Sequence, residues 1–97
     1  MELSAENLEV IHNETENRFE VWIDGYLSKL DYLRDGSTLV ITHVGVHPDL
    51  RGRGVAGRLT QVALEYAARN AFRVVPMCSY AAAYIRRHPK YQELVKS

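Results

Sequence analysis

The stretch HPDLRGRGVAGRL, residues 47–59, holds three of the chain's six glycines and separates two hydrophobic patterns. Before it, apolar residues alternate with polar ones, as in β-strands; after it, they recur every three or four positions, as in an amphipathic helix. A glycine-rich turn between a strand and a helix gathers free backbone N–H groups and the positive end of the helix dipole. The stretch therefore predicts a strand-to-helix junction suited to a phosphate or pyrophosphate, with its arginines adding attraction.

The segment before this junction is predicted to form four antiparallel strands. Alternation starts at Leu8 and resumes from Phe19 until the hairpin-forming dipeptide Asp-Gly at residues 24–25. The return strand covers residues 26–33, and a second Asp-Gly turn leads into a long β-branched strand over residues 38–46. Only a short polar stretch separates the first two strands.

The segment after the junction is predicted to contain a helix of about four turns ending near Asn70, a strand over residues 73–78 and a helix over residues 79–87. Ser79 is the expected N-cap of the second helix. The order β-β-β-β-α-β-α predicts an α/β (α+β) fold whose mixed, mostly antiparallel sheet has strands four and five parallel. Because Pro76 has no N–H to donate, we expect these two strands to splay apart there and leave a cleft.

The composition limits the function classes. A chain of 97 residues with 46% apolar and 25% charged residues is typical of one compact domain, which we expect to cover residues 1–97. Twelve basic and twelve acidic residues balance, which argues against a dedicated nucleic-acid binder. No apolar run has the length of a signal peptide or membrane span, and the single cysteine cannot form an internal disulfide, so we expect a cytoplasmic protein that does not bind membranes.

Two further expectations concern metals and assembly. The four histidines, at positions 12, 43, 47 and 88, show no ligand spacing on a common helix, so no metal site is predicted. A core of this size is thin, which leaves either a monomer or a weak homodimer as the expected state.

Three phosphate-binding patterns compete for the glycine-rich stretch. A Walker A loop is excluded because it ends in Gly-Lys-Ser/Thr, and no lysine lies between Lys29 and Lys90. The dinucleotide string G-x-G-x-x-G is present at residues 52–57, but the preceding strands form a meander and no carboxylate ends the next strand. The third pattern, R-x-x-G-x-A, is formed by Arg51, Gly54 and Ala56.

This third pattern resembles the acetyl-coenzyme A loop of the GNAT N-acetyltransferase superfamily. The segments ITHVGVHPDLRGRGVA and VVPMCSYAAAYIRRHPKY are similar to the minimal one-domain GNAT-like acetyltransferases, which lack the two helices that larger relatives insert after the first strand. The resemblance implies that the loop amides hold the pyrophosphate and that the preceding strand binds the pantetheine arm. It implies these acetyl-CoA-binding residues: Val44, Val46, Arg51, Gly52, Arg53, Gly54, Val55, Ala56 and Gly57.

The resemblance also implies two catalytic candidates. Cys78 ends the fifth strand just before a helix, where a helix dipole can activate a thiol, and the minimal subfamily carries a cysteine there. A buried structural cysteine is the alternative. His43 matches a histidine of the subfamily and is a candidate base, the alternative being a structural sheet residue. Related sequences often carry glutamate where this chain has Gly45, which weakens any fixed-base mechanism and makes Gly45 a candidate bulge position.

The second helix offers further candidates whose alternatives are structural. In larger GNAT enzymes a tyrosine of this helix protonates the leaving thiolate, but Tyr80 and Tyr84 share one helical face and are also suited to core packing. Arg86 and Arg87 are candidates for the 3′-phosphate of coenzyme A (CoA), with Arg87 the preferred one, and are also ordinary partners of the helix dipole.

Three functions follow as hypotheses. The first is an acetyl-CoA-dependent N-acetyltransferase that acts on an amine, either a small molecule or a lysine, by proximity with weak acid–base assistance. The second is a non-catalytic CoA or acyl-CoA binding module. The third, interaction of the arginine-rich second half with nucleic acid or with another protein, is disfavoured by the zero net charge.

Overall fold

The computed structural model describes residues 8–96 and shows one five-stranded sheet, whose strands lie side by side in the order of the chain, with two helices packed against one face. The elements are β1 (Ile11–Asn13), β2 (Arg18–Ile23), β3 (Tyr26–Asp35), β4 (Thr38–Gly45), α1 (Val55–Arg69), β5 (Arg73–Pro76) and α2 (Ser79–Arg87). Short 3-10 helices at Pro48–Leu50 and Pro89–Leu94 flank this arrangement. The predicted element order is confirmed.

Sequence-encoded turns fix the antiparallel part of the sheet. Asp24 (φ 51°) and Gly25 (φ 81°) both take positive φ, as a tight two-residue hairpin requires, and join β2 to β3. Gly36 (φ 59°) begins the turn from β3 to β4. No helix lies between β1 and β2, where residues 14–17 form a turn.

Strands β4 and β5 are parallel, and their pairing stops where the sequence predicted. The register runs from Thr38 opposite Arg73 to Ile41 opposite Pro76. β4 then continues to Gly45 without a partner in β5. Because Pro76 has no N–H, the ladder ends there and the two strands diverge.

Three sequence predictions need correction. β1 is only three residues long, although Leu8 before it is buried in the core. The N-cap of α2 is Cys78, and Ser79 is already helical; the extended backbone of Cys78 (ψ 131°) occupies the cap position. The bulge in β4 lies at Thr42 and not at Gly45, because Asp31 pairs with His43 while its neighbour pairs with Ile41.

The two faces of the sheet are unlike. The helix-covered face carries Phe19, Leu30 and Ile41, each at most 1% exposed, against the apolar side of α1. The opposite face, which we call the open face, presents side chains to solvent, including Trp22 (52% exposed) and Leu33 (58%). Alternation along each strand sends successive side chains to opposite faces, so the hydrophobic pattern decides which face the helices cover.

Candidate functional site

The glycine-rich loop ends in an uncapped helix N-terminus. Gly52 (φ 83°) and Gly54 (φ 75°) take left-handed backbone conformations that glycine adopts without strain. Gly54 is the N-cap of α1 and has no side chain to accept from the first-turn amides; the first intrahelical bond runs from Arg58 N–H to the Gly54 carbonyl at 3.0 Å. The amides of residues 55–57 therefore have no intrahelical acceptor, and an anion can take that place.

A cavity of about 290 Å³ lies at this helix N-terminus, and we call it the loop cavity. It brings together seven of the residues that the sequence assigned to acetyl-CoA: Val46, Arg51, Gly52, Gly54, Val55, Ala56 and Gly57. The cavity is not lined by Val44, Arg53 or Arg87. Val44 lies within β4, and Arg53 and Arg87 are exposed. The sequence thus located most of the cavity from one contiguous stretch.

Cys78 lies where β4 and β5 diverge. Its backbone N–H donates to the Ile41 carbonyl at 3.0 Å, which is the bond that follows the last β4–β5 pair. Its own carbonyl accepts from Ala82 N–H at 3.0 Å and so begins α2. The side chain is half-buried and packs against the core. Cys78 therefore has a structural backbone role, whatever its thiol does.

His43 lies on the open face, just beyond the bulge. It is exposed and pairs across the sheet with Asp31. Its imidazole folds over Gly45, since a Cβ added to Gly45 would lie only 2.7 Å from His43 Nε2. Glycine at position 45 thus makes room for the histidine ring. His47 is separate from this pair: its Nδ1 accepts from Asp49 N–H at 3.1 Å and its ring stacks on Tyr26.

The model of the GCN5-related N-acetyltransferase family matches residues 18–94, which is most of the chain and includes the loop, β4 and α2. The chain belongs to this family. GCN5-related enzymes transfer acyl groups to amines and generally use acetyl-CoA as the donor, so the protein is an N-acetyltransferase by family.

A solved structure supports this membership. A GCN5-like protein from Staphylococcus aureus, determined in solution by NMR, matches the fold with a TM-score of 0.73 and 29% sequence identity. The match covers 94% of this chain and 90% of that one. No curated protein matches the chain significantly.

Two tyrosines of α2 lie close to Gly57, and one of them lines the loop cavity. Tyr80 lines the loop cavity, and a Cβ on Gly57 would lie 3.6 Å from the Tyr80 hydroxyl oxygen and 3.8 Å from Tyr84 Cε2. Burial raises the pKa of both tyrosines, so both stay protonated near neutral pH and can donate a hydrogen bond. The sequence offered these residues only as packing or as an acid; their shared helical face was the available signal that both approach the same part of α1.

Two further observations concern metal binding and membrane insertion. Within residues 8–96, no three His, Cys, Asp or Glu side chains cluster in a way that would hold a metal ion. In the same part of the chain, neither helix has the length and apolar content needed to cross a membrane.

Proposed function

We propose that this protein transfers the acetyl group of acetyl-CoA to the amino group of a small molecule or a lysine. The observation that carries the proposal is the uncapped N-terminus of α1, which faces the loop cavity next to the unpaired end of β4. Donors for an anion and a free strand edge therefore lie side by side. CoA needs both, because its pyrophosphate is anionic and its pantetheine arm carries amide groups.

The cofactor would bind along these two features. The amides of residues 55–57 would donate to the pyrophosphate, and Arg51 would add a positive charge at the cavity wall. The pantetheine arm would run along β4 at Val44 and Val46, where β5 no longer occupies the hydrogen-bonding edge. Arg53, exposed in the loop, would contribute long-range attraction to the phosphates.

This arrangement would bring the thioester to the divergence of β4 and β5, near Cys78. The amine nitrogen attacks the carbonyl carbon, the C–N bond forms, and the C–S bond breaks as CoA leaves as a thiolate. The ammonium proton passes to His43, directly or through a water, and the thiolate takes a proton from solvent or a nearby donor. Since Gly45 supplies no carboxylate, we assign most of the rate enhancement to the proximity of the two reactants.

A non-catalytic CoA-binding module is the second candidate, and one observation favours it. No helix within residues 8–96 covers the open face beside His43, because none is inserted between β1 and β2. An acceptor that binds there would be enclosed by the protein on few sides. Release of free CoA thiol only in the presence of an amine distinguishes the enzyme from the module; acetyl-CoA binding without such release, across amines of diverse size and charge, would support the module.

Isothermal titration with acetyl-CoA tests the binding half of the proposal. We expect one-to-one binding by the wild type and its loss in Gly54→Glu, because the new carboxylate would cap the amides and repel the pyrophosphate. Gly36→Glu is the matched control: Gly36 also has positive φ (59°) but lies in the turn between β3 and β4. Absence of binding by the wild type, or equal loss in both variants, would contradict the proposed site.

A further inference from the structure

A second cavity, of about 260 Å³, adjoins the loop cavity at Gly54 and Gly57, which line both. We call it the basic groove. It lies between α1 and the C-terminal segment, and its lining residues are Gly54, Gly57, Arg58, Gln61, Tyr84, His88, Lys90 and Tyr91. Because the two cavities share two glycines, a ligand anchored at the N-terminus of α1 can occupy both.

The basic groove is positively charged. Arg58 and Lys90 lie in its wall, and no carboxylate of residues 8–96 lines it. Lys90 forms an ion pair with Glu65, whose Oε2 lies 3.9 Å from Lys90 Nζ and accepts from the Tyr91 hydroxyl at 2.6 Å. The Lys90 side chain is 67% exposed, so this long ion pair is weak and leaves the ammonium able to turn toward an anion.

Arg58 lines this groove and has an unpaired N–H. Its Nη1 donates to Gln61 Oε1 at 3.0 Å, which orients the guanidinium. Its Nε is buried and has no hydrogen-bond partner among the described residues. The guanidinium, which has further N–H groups besides the one bonded to Gln61, is thus incompletely paired, and a phosphate oxygen is the acceptor that a guanidinium binds best.

The position of Arg58 fits one particular anion. Arg58 directly follows the loop amides of residues 55–57, so it lies about 1.5 Å farther along α1 than residue 57 and about 6 Å farther than Gly54. In CoA the 3′-phosphate is separated from the pyrophosphate by a single ribose. A pyrophosphate at residues 55–57 therefore leaves the 3′-phosphate within reach of the basic groove. Arg87, the candidate from sequence, is exposed and lines neither the loop cavity nor the basic groove.

We infer that the basic groove binds the 3′-phosphate of CoA, with Arg58 and Lys90 as the cations that select CoA over 3′-dephospho-CoA. This inference rests on the proposed function, because it takes the pyrophosphate to be held at α1. It adds a specificity determinant on the far side of the glycine loop from the reacting thioester.

Titration of CoA and 3′-dephospho-CoA against the same variants tests the inference. We expect the wild type to bind CoA about tenfold more tightly than the dephospho form, as for a charge-assisted contact of a partly solvated phosphate. Arg58→Gln and Lys90→Gln should each bring the ratio of the two affinities close to one. Any weakening of the pyrophosphate contact affects both ligands equally and cancels in that ratio. Lys29→Gln, on the open face, is the matched control and should keep the tenfold preference.

The outcomes are distinguishable. Equal affinity of the wild type for the two ligands would overturn the inference and leave the proposed function standing. Loss of the preference in Arg87→Gln, with Arg58→Gln and Lys90→Gln unchanged, would also overturn it and assign the phosphate to Arg87. Failure of the wild type to bind either ligand would overturn the inference together with the proposed function.

Discussion

The helix-covered and open faces of the sheet are built from the same strands but constrain their residues very differently. On the covered side, Leu30, Leu59 and Leu64 are fully buried, whereas Leu33 and Trp22 on the open side are more than half exposed. Burial of apolar surface provides most of the folding free energy. This small fold therefore concentrates its stability on one face and leaves the face that carries His43 open to solvent.

Matched leucine truncations test that division with the largest expected effect. Leu59→Ala should lower the free energy of unfolding by about 3 kcal/mol, because it leaves a cavity at a fully buried position of α1. Leu33→Ala should lower it by less than about 0.5 kcal/mol, because that side chain is 58% exposed. Urea unfolding monitored by circular dichroism measures both. Similar losses in the two variants would contradict the asymmetry and indicate that the open face is covered in solution.

Gly45→Ala tests whether the open face takes part in catalysis. We expect it to change the free energy of unfolding less than Leu59→Ala does. The backbone accepts alanine, but the new Cβ would lie 2.7 Å from His43 Nε2, so the imidazole must move. If His43 receives the proton of the acceptor amine, kcat should fall about tenfold while acetyl-CoA affinity stays unchanged. The measurement is amine-dependent release of CoA thiol.

A double-mutant cycle provides the control for this prediction. If Gly45 acts by positioning His43, adding Gly45→Ala to His43→Gln should reduce kcat no further than His43→Gln alone. Additive losses would show instead that Gly45 affects turnover independently of the imidazole, for example through the strand itself.

The covered face was the more predictable of the two from sequence. Alternation and helical periodicity are local patterns, so they located the strands, α1, the Asp-Gly turns and the end of pairing at Pro76. The loop cavity was also predictable, since most of its residues form one contiguous stretch. Local patterns of this kind report directly on backbone conformation.

The features that sequence reasoning missed depend on contacts between distant segments. The bulge at Thr42 arises from the register between β3 and β4, where nothing in the local sequence marks it. Lys90 faces the same groove as Arg58 although 32 positions separate them. Periodicity cannot reveal such a pair, because it describes one element at a time. The basic groove therefore became visible only when the C-terminal segment was placed beside α1.

The dependence of folding stability on pH should also differ between the two faces, with a smaller effect than the substitutions above. On the covered face, burial lowers the pKa of His12, with Glu14 partly opposing, and the His12 ring lies 4.1 Å from Phe19. The unfolded chain then binds a proton more readily, so folding stability should fall as the pH drops below 6.5. On the open face, the hydrogen bond from Arg18 lowers the pKa of Glu20, so its contribution is present above 4.5 and is lost only as the pH falls below that value.

Unfolding free energies measured across this pH range should therefore show two separate losses, the first assigned to the covered face and the second to the open face. His12→Gln should remove the loss that begins near pH 6.5, and Glu20→Gln should reduce the one below pH 4.5. Each substitution should leave the other loss in place, since the two side chains point to opposite faces of the sheet and titrate in different ranges. A single acid transition that both variants shift together would mean that the faces unfold as one electrostatic unit, and the division between them would then hold for packing alone.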